Sequence, residues 1–327
     1  MSFTPVERRV PPRLYRSKLF VPGSRPALFE KAAASAADVV CLDLEDAVAP
    51  VDKDKARDSI VAALNEVNWG EKLVTARING LDTHWCYRDV LALVEEGGER
   101  LDAIMIPKVG NAADVYAIDM LVTQASIAMS RQKKIGLEVM IETTSGLTNI
   151  DAIAASSKRL ETLHFGAADY AASQGMRTTN IGGGNADYAM LTDKAPDRAR
   201  ERHWNDLWHY PLFRLCQAAR AHGLVPIDGP FGDYSDPEGF RVQAMRTVIL
   251  GCEGKWAIHP NQVALANEVY TPPQKEVERA EAILAAMQEA QGKGLGAVAL
   301  NGVLIDAASI RQAQVIVRQM ELIRARG

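Results

Sequence analysis

The chain has 327 residues, of which 47% are hydrophobic, and its 37 lysines and arginines against 41 aspartates and glutamates give a formal net charge of −4. This composition supports a sizeable core and excludes an intrinsically disordered or fibrous chain, while the mildly acidic balance argues against a protein that binds nucleic acid mainly by charge. No apolar run reaches the roughly 18 residues that a transmembrane helix needs, and the first residues lack the apolar stretch of a secretion signal.

Apolar runs alternate with segments of helical periodicity along most of the chain. The predicted strands are 18–23, 38–46, 72–80, 103–109, 135–143, 160–169, 225–231 and 253–260, and the helical stretches between them include 25–35, 54–67, 112–125 and 237–250. Eight strands separated by helices predict an α/β fold with a parallel sheet closed into a (β/α)8 TIM barrel. An open doubly wound sheet is the alternative, but the turn after the first strand is VPGS, not GxGxxG.

Two segments depart from this alternation. Residues 171–207 contain IGGGNADY and many charges, and they are predicted as a long excursion after the sixth strand. After Pro272 and Pro273 a strong helical pattern begins, followed by a Gly-rich turn and a second helical pattern. We therefore predict a barrel domain over 1–270, with an N-terminal arm, and a small, mostly helical C-terminal lid segment over 271–327.

The four cysteines indicate neither a disulfide framework nor a zinc site. They are Cys41, Cys86, Cys216 and Cys252, and no two of them form a CxxC pair. Reduced thiols and a cytoplasmic location are the expectation for this pattern.

Polar residues end seven of the eight predicted strands. They are Asp43, Glu45 and Asp46 at the end of the second strand, then Arg77, Lys108, Glu142, Asp169, Asp228 and His259 at the ends of the third to the eighth. Active sites of barrels lie at the C-terminal ends of the strands, so these residues are expected on one face. Ordinary loop polarity explains one or two such ends, whereas seven indicate an active site.

Glu142 and Asp169 are the best candidate metal ligands, because they end adjacent strands. Two carboxylates with water and substrate oxygens suit Mg²⁺, with Mn²⁺ as a substitute. The alternative is a plain ion network in which Arg77 and Lys108 neutralise the pair. Zinc is disfavoured because the six histidines are scattered. Strand parity places Glu138 deeper inside the barrel than Glu142. A buried carboxylate needs a partner, so Glu138 is expected to have a structural role and to pair with Arg77 or Lys108.

Arg25 and Lys31 flank the loop after the first strand. They either hold the phosphates of a large ligand or belong to the solvated face of a helix. No GxSxG motif is present, so acyl-enzyme chemistry has no candidate nucleophile.

The motifs KLFVPGSRP, CLDLEDAV, TARINGLDT, MIPKV, EVMIET, FGAADYAAS and GKWAIHPNQ, in this order, resemble the citrate lyase β-subunit-like group of the HpcH/HpaI aldolase superfamily. The likeness extends from about Lys18 to the C-terminal helix, and PIDGPFGDYSDPEGF and LIDAASIRQA narrow it to lyases that act on malyl thioesters. The resemblance implies a Mg²⁺-containing (β/α)8 barrel that forms trimers or hexamers, with a C-terminal segment closing over a neighbouring chain.

By motif position, the resemblance also implies roles for individual residues. Glu142 and Asp169 would bind Mg²⁺, Arg77 would contact glyoxylate, Asp306 would enter from an adjacent chain as acid and base, and Phe20, Arg25, Lys31, Ala168, Asp169, Ile258 and His259 would bind the substrate thioester. Glu45, one of the charged residues at the strand ends, joins Arg77 and Asp306 in the predicted catalytic set.

The implied reaction is a Mg²⁺-dependent, reversible retro-aldol cleavage of (S)-malyl-CoA to acetyl-CoA and glyoxylate. Cleavage of β-methylmalyl-CoA to propionyl-CoA and glyoxylate is a second candidate. A malyl-CoA thioesterase or a citramalyl-CoA lyase on the same scaffold is the alternative, and a non-catalytic subunit of a citrate lyase-like complex is an alternative of another class. Neither nucleic acid nor membrane is an expected partner.

Overall fold

The protein is described by a computed structural model over residues 7–178, 180–292 and 294–326. Within these ranges the chain divides into two compact units, one formed by 7–11 and 15–267 and the other by 12–14 and 268–326.

The first unit is built around eight parallel strands, one at each predicted position. The strands of this unit are β1 (Ser17–Pro22), β2 (Val39–Asp43), β3 (Leu73–Arg77), β4 (Ala103–Ile106), β5 (Gly136–Ile141), β6 (Leu160–Phe165), β7 (Ala189–Leu191), β8 (Arg202–Trp204), β9 (Val225–Ile227) and β10 (Lys255–Ala257). The short strands β7 and β8 pair only with each other, as an antiparallel hairpin inside the predicted excursion.

The eight parallel strands are ordered β10-β1-β2-β3-β4-β5-β6-β9. The two ends of this sheet meet, because the Asp228 amide donates to the Gly254 carbonyl at 2.8 Å and the Trp256 amide donates to the Asp228 carbonyl at 3.1 Å. The prediction of a (β/α)8 barrel is therefore confirmed, and the open doubly wound alternative is excluded.

Helices follow the strands around the barrel. They are α1 (Phe29–Ala33), α2 (Lys53–Glu66), α3 (Cys86–Glu95), α4 (Ala112–Ala128), α5 (Thr144–Thr148), α6 (Ile150–Ala155), α7 (Ala167–Gln174), α8 (His209–Ala221), α9 (Pro237–Leu250), α10 (Asn261–Val269), α11 (Gln274–Gly292) and α12 (Ala307–Ala325). None of them, over the described ranges, has the length and apolarity needed to cross a membrane.

Local chemistry fixes the helix starts. The Asn111 side chain accepts from the Ala113 amide and forms a capping box with Asp114, so α4 begins at the predicted residue. Asp236 caps α9, whose first residue is Pro237. The helix predicted over 25–35 is shorter, since Pro26 begins a 3-10 turn that precedes α1.

Strand alternation separates two apolar layers. Val40 and Leu42 of β2 lie in the large cluster between the sheet and the helices. Val39 and Cys41 face the other way, into a smaller cluster inside the barrel that also contains Met140. Residues at alternate strand positions therefore line the barrel interior, as the two-residue period requires.

The barrel interior holds a buried ion pair between Lys18 of β1 and Glu138 of β5. Lys18, not Arg77 or Lys108, is thus the partner of Glu138, because β1 presents it to the same level of the interior. Removing one partner of such a buried pair would cost roughly 3–5 kcal/mol.

His164 of β6 extends this interior network. Its Nδ1 accepts from the Trp256 indole at 2.9 Å, and its Nε2 lies 2.7 Å from the Thr162 hydroxyl. Because Nδ1 is the acceptor, the imidazole carries its proton on Nε2.

The second unit consists of α11 and α12 joined by a hairpin of β11 (Val298–Leu300) and β12 (Val303–Ile305). Asn301 and Gly302 form its two-residue turn, both with positive φ, at 50° and 79°. An Asn-Gly pair is the preferred sequence for such a turn. The glycines between the two helices predicted only a turn here, so the hairpin was not predicted.

Candidate active site

Charged side chains from five consecutive strand ends come together on one face of the barrel, which we call the rim. Asp43 and Arg77 are the last residues of β2 and β3. Lys108 and Glu142 follow β4 and β5, and Asp169 lies in the first turn of α7 after β6. Because these strands are neighbours in the sheet, their carboxyl ends bring the five residues together.

Arg77 is held in place by carboxylates. Its Nε and Nη2 donate to the two carboxylate oxygens of Asp43 at 2.7 and 2.6 Å, and its Nη1 lies 2.8 Å from Glu45 Oε2. The guanidinium also lies over the Phe20 ring, 5.4 Å from its centroid. Burial alone would lower the pKa of Arg77, but the Asp43 and Glu45 charges outweigh it and raise that pKa, so the group stays charged.

Asp43 was missed as a functional residue. It stands directly opposite Arg77 in the β2–β3 register and shares the interior face of β2 with Cys41. Its carboxylate also accepts from the Glu45 amide at 2.9 Å. Parity with Cys41 was the signal that could have identified it.

Lys108 links the remaining carboxylates. Its ammonium forms an ion pair with Glu45 and lies 3.4 Å from Asp46 Oδ1 and 3.8 Å from Asp169 Oδ1. Its backbone amide donates to Glu142 Oε1 at 2.7 Å. Burial would lower the pKa of Lys108, but its hydrogen bond to Glu45 and the nearby carboxylates raise it.

Glu45 and Asp46 respond differently to this environment. Burial raises the pKa of Glu45 despite the opposing charge of Arg77. Burial also acts to raise the pKa of Asp46, but Arg77 and Lys108 outweigh it and lower that pKa. Both carboxylates contact Arg77 and Lys108, but Glu45 is much more buried than Asp46, so burial prevails only at Glu45.

Glu142 is almost completely buried and has one carboxylate oxygen to spare. Oε1 accepts from Lys108, whereas Oε2 is buried and accepts no hydrogen bond from any described residue. Burial, followed by the charges of Glu45 and Asp169, raises the pKa of Glu142 to about 8. A buried carboxylate in this state requires a cation or a proton.

The rim fits a divalent cation. Glu142 Oε2 needs a partner, and Asp169 supplies a second, half-exposed carboxylate on the neighbouring strand end. The described residues contain no cluster of three or more histidine, cysteine or carboxylate ligands, so water and substrate would complete the coordination. That donor set suits Mg²⁺, which usually keeps several waters.

Asp228 and His259, also expected on this face, make other contacts. The Asp228 carboxylate is buried against the Lys255 ammonium at 2.5 Å and accepts from the Gly229 amide at 2.8 Å. Asp228 is therefore part of a structural ion pair in the barrel wall. The His259 ring stacks on Tyr234, with centroids 4.8 Å apart and planes 15° apart.

The residues predicted to bind the thioester lie after β1, β6 and β10. Phe20 is half-buried and packs on Trp256 with ring centroids 4.1 Å apart, whereas Arg25 and Lys31 are exposed. Ala168 is exposed beside Asp169 in α7.

Ile258 is also exposed, and Gln262 fixes its backbone. The Ile258 amide donates to Gln262 Oε1 at 2.9 Å, and Gln262 Nε2 donates to the Phe231 carbonyl at 2.9 Å. The buried Gln262 therefore ties the segments after β9 and β10 together, a role that the sequence analysis did not identify.

Asp306 belongs to the second unit, where it caps α12. Its exposed carboxylate accepts from the Ala308 and Ser309 amides at 2.9 and 3.1 Å. These hydrogen bonds lower the pKa of Asp306. The group is therefore ionised at neutral pH in this conformation, and its catalytic role stays a prediction.

Comparison with known proteins agrees with this architecture. Residues 16–260 match the profile of the HpcH/HpaI aldolase/citrate lyase family. An L-malyl-CoA/beta-methylmalyl-CoA lyase from Rhodobacter capsulatus is 56% identical over 322 residues, covering 98% of this chain and 99% of the relative. A malyl-CoA/beta-methylmalyl-CoA/citramalyl-CoA lyase from Chloroflexus aurantiacus is 36% identical, covering 86% of this chain and 80% of the relative.

A solved structure extends the likeness. Protein CitE from Mycobacterium tuberculosis, in complex with magnesium, acetoacetate and coenzyme A, has a TM-score of 0.70 and 26% identity, covering 96% of this chain and 99% of that one. Family match and relatives together show that the chain belongs to the HpcH/HpaI aldolase/citrate lyase family.

Proposed function

We infer that the protein is a carbon–carbon lyase that reversibly cleaves (S)-malyl-CoA to acetyl-CoA and glyoxylate, and β-methylmalyl-CoA to propionyl-CoA and glyoxylate, with Mg²⁺ as its cofactor and Mn²⁺ as a substitute. Relatives that share 56% of their residues over almost the whole chain carry these activities in their names. The structural observation that carries the proposal is the buried Glu142 Oε2, which accepts no hydrogen bond from the described residues and is affected by the charges of Asp169 and Arg77.

Glu142 and Asp169 would hold the cation. When bound, Mg²⁺ supplies Lewis-acid chemistry to the hydroxyl and carboxylate oxygens of malyl-CoA. The raised pKa of Glu142 is consistent with this role, because a carboxylate that is costly to ionise alone becomes favourable beside a cation.

Arg77 would bind the glyoxylate part. Its hydrogen bonds to Asp43 and to the Met140 sulfur use three of the five N–H groups of a guanidinium, and Nη1 also lies 2.8 Å from Glu45 Oε2. The remaining N–H groups are donors for a substrate carboxylate or for the aldehyde oxygen that forms. The bidentate contact with Asp43 prevents the guanidinium from rotating, so these donors are preorganised for the developing charge. Glu45, predicted as catalytic, lies between Arg77 and Lys108 and would orient both.

Cleavage breaks the bond between the hydroxyl-bearing carbon and the carbon next to the thioester. The hydroxyl gives its proton to water, and the thioester enolate takes up one proton on carbon, so the protons balance. We assign the second transfer to Asp306 of an adjacent chain, which would donate in cleavage and accept in condensation. Its lowered pKa keeps it ionised, as a base for condensation must be, whereas donation in cleavage requires a closed site that raises this pKa.

The thioester itself would bind across the segments after β1, β6 and β10. Phe20, Ala168, Ile258 and His259 provide apolar and aromatic surface there, and the exposed cations Arg25 and Lys31 suit the phosphates of CoA.

Glu142→Gln and Asp169→Asn test the cation site. Each should reduce Mg²⁺-dependent glyoxylate release from malyl-CoA by at least about 100-fold, because each removes one of two protein ligands. Asp151→Asn is the control, since Asp151 is an exposed surface carboxylate paired with Arg214. Normal Mg²⁺-dependent activity in either site variant would contradict the assignment.

A product assay tests the activity. With malyl-CoA, glyoxylate and acetyl-CoA should form together, without free CoA. Free CoA and malate without glyoxylate would indicate a thioesterase. Formation of pyruvate from citramalyl-CoA as the preferred reaction would indicate a citramalyl-CoA lyase. Turnover only with an added carrier protein would indicate a subunit of a larger complex.

A further inference from the structure

Lys108 has an unusual backbone for a lysine. Its φ is 52°, in the left-handed region that side chains with a Cβ seldom occupy. The other described non-glycine residues with positive φ are Ser130, just after α4, and Asn301, in a hairpin turn. Only Lys108 adopts this conformation at the rim, and a strained residue persists where its surroundings hold it.

This conformation lets one residue contact both proposed cation ligands. The Lys108 amide donates to Glu142 Oε1 at 2.7 Å, while the Lys108 ammonium lies 3.8 Å from Asp169 Oδ1. Oε1 accepts from this amide, and Oε2 is the Glu142 oxygen that has no partner among the described residues. The main chain therefore orients one ligand and the side chain restrains the other.

The ammonium is also part of the charge balance of the rim. Four carboxylates lie around Lys108: those of Glu45, Asp46, Glu142 and Asp169. Among the described residues, Arg77 is the other cation that contacts these carboxylates. A divalent cation bound to Asp169 would share that carboxylate with the ammonium. Like charges repel, so the lysine that restrains Asp169 must also weaken cation binding.

We propose that Lys108 is the positioning residue of the cation site, which aligns Glu142 and Asp169 for turnover and, by its charge, weakens their affinity for a divalent cation. This role rests on the proposed function, since it assigns the two carboxylates to the metal. It separates binding from turnover: loss of the ammonium strengthens cation binding and lowers the rate, whereas general damage to the rim weakens both.

Three substitutions in the full-length protein separate the contributions of Lys108. Lys108→Met removes the charge and keeps a side chain of similar length in the same backbone conformation. Lys108→Gly removes the charge but adopts positive φ without strain. Lys108→Arg keeps the charge. Lys133→Met is the matched control, because the Lys133 side chain is 35% exposed and that of Lys108 is 34% exposed. Lys133 lies in the loop before β5 and also pairs with a carboxylate, that of Asp102 at 2.8 Å.

Mn²⁺ binding, measured by calorimetry and by the loss of the free-ion electron paramagnetic resonance signal, is the readout that does not depend on activity. Lys108→Met and Lys108→Gly should bind Mn²⁺ at least about 5-fold more tightly than wild type, while kcat for malyl-CoA cleavage falls by about 10- to 100-fold. Lys108→Arg should bind Mn²⁺ within about 2-fold of wild type and recover part of the lost kcat. Lys133→Met should change neither quantity.

The outcomes are distinguishable. If wild type binds Mn²⁺ and both uncharged variants bind it equally well or more weakly, the proposal for Lys108 is overturned. If both bind more tightly and keep wild-type kcat, the positioning role is overturned. If wild type shows no saturable Mn²⁺ or Mg²⁺ binding, the cation site of the proposed function fails instead.

Discussion

Gly166, between β6 and α7, lies against the carboxylate that we propose as a cation ligand. A Cβ on this residue would be 2.4 Å from both Cβ and Oε2 of Glu142. Such contacts are impossible without movement, so the absence of a side chain lets Glu142 keep its position. A glycine is thus required here by close approach, not by an unusual backbone conformation.

Gly166→Ala should displace Glu142 Oε2 and reduce Mn²⁺ affinity and malyl-CoA cleavage by about 10- to 100-fold each. Calorimetric titration with Mn²⁺ and a glyoxylate assay measure the two effects. Gly292→Ala is the control, because a Cβ there meets nothing within 4 Å. Wild-type Mn²⁺ affinity in Gly166→Ala would show that Glu142 is not restrained by this contact.

The identity of the rim residues was largely predictable, but their pairing was not. Arg77, Glu142 and Asp169 end apolar strands, which is a pattern along the chain. The choice of Asp43 and Glu45 as partners of Arg77 depends on strand register and on the turn after β2. The left-handed backbone of Lys108 has no sequence signal, because positive φ is expected at glycine, asparagine or aspartate and not at lysine.

At the scale of elements, β1, β5 and β10 contribute Lys18, Glu138 and Trp256 to the interior network, and β6 contributes Thr162 and His164. Burial would raise the pKa of Glu138, but Lys18 and His164 outweigh it and lower that pKa to about 2. Burial, aided by the charge of Lys18, lowers the pKa of His164 to about 4. Both groups therefore resist protonation in the folded protein.

The network predicts acid sensitivity below pH 6.5. The unfolded chain protonates His164 near its ordinary pKa of 6.5, whereas the folded protein does so only near 4, so the free energy of unfolding should fall as the pH drops through this interval. Glu138 adds a second loss as the pH falls from about 4.5 towards 2. Urea unfolding midpoints between pH 7 and 4 measure the first effect.

His164→Gln tests the assignment, since Gln can accept from Trp256 but does not titrate. Its midpoint should decline less between pH 6.5 and 4 than that of wild type. His203→Gln, at an exposed histidine of the β7–β8 hairpin, should keep the wild-type decline. An unchanged decline in His164→Gln would exclude His164 as its source.

The elements themselves followed from simple patterns, with instructive exceptions. Eight strands were predictable because parallel strands buried on both faces form continuous apolar runs. The excursion over 171–207 begins inside α7 and contains the short β7–β8 hairpin, whose strands are mostly exposed and so lack an apolar pattern. The β11–β12 hairpin was missed although Asn301-Gly302 indicates it.

At the scale of the whole molecule, the net charge of −4 conceals a local concentration of acid. Asp43, Glu45, Asp46, Glu142 and Asp169 meet at one face, where Arg77 and Lys108 offset them only in part. Five ionised carboxylates against two fixed cations would give this face an excess of negative charge. Burial and the charges of Glu45 and Asp169 raise the pKa of Glu142 to about 8, which favours its protonated form until a cation binds. A bound divalent cation would offset most of that excess, which is the whole-molecule reason to expect a metal there.

The proposed reaction also needs a proton donor, and the residue that we assign to this role does not belong to the first unit. Asp306 lies in the second unit, exposed at the start of α12. The family resemblance implies that this segment closes over a neighbouring chain. We therefore propose an oligomer in which each rim receives Asp306 from another copy.

Co-expression of two inactive variants tests this arrangement. Arg77→Ala chains lack the glyoxylate-binding cation and Asp306→Asn chains lack the proton donor, so each homo-oligomer should be inactive. In a random mixture about a quarter of the sites would combine an intact Arg77 with an intact Asp306 from the neighbouring chain, and activity should return to about that fraction of wild type. Differently tagged chains, purified in tandem, ensure that mixed oligomers are assayed.

The control co-expresses Arg77→Ala chains with chains carrying both substitutions, a combination in which no site has an intact Arg77. Activity there should stay at the level of the single variants. If the tandem-purified Arg77→Ala and Asp306→Asn mixture is as inactive as the single variants, each site takes Asp306 from its own chain. Wild-type activity of Asp306→Asn alone would show that the site does not use Asp306. Because restoration requires the two residues to act from different copies, the experiment identifies the chain that supplies the proton as well as the residue.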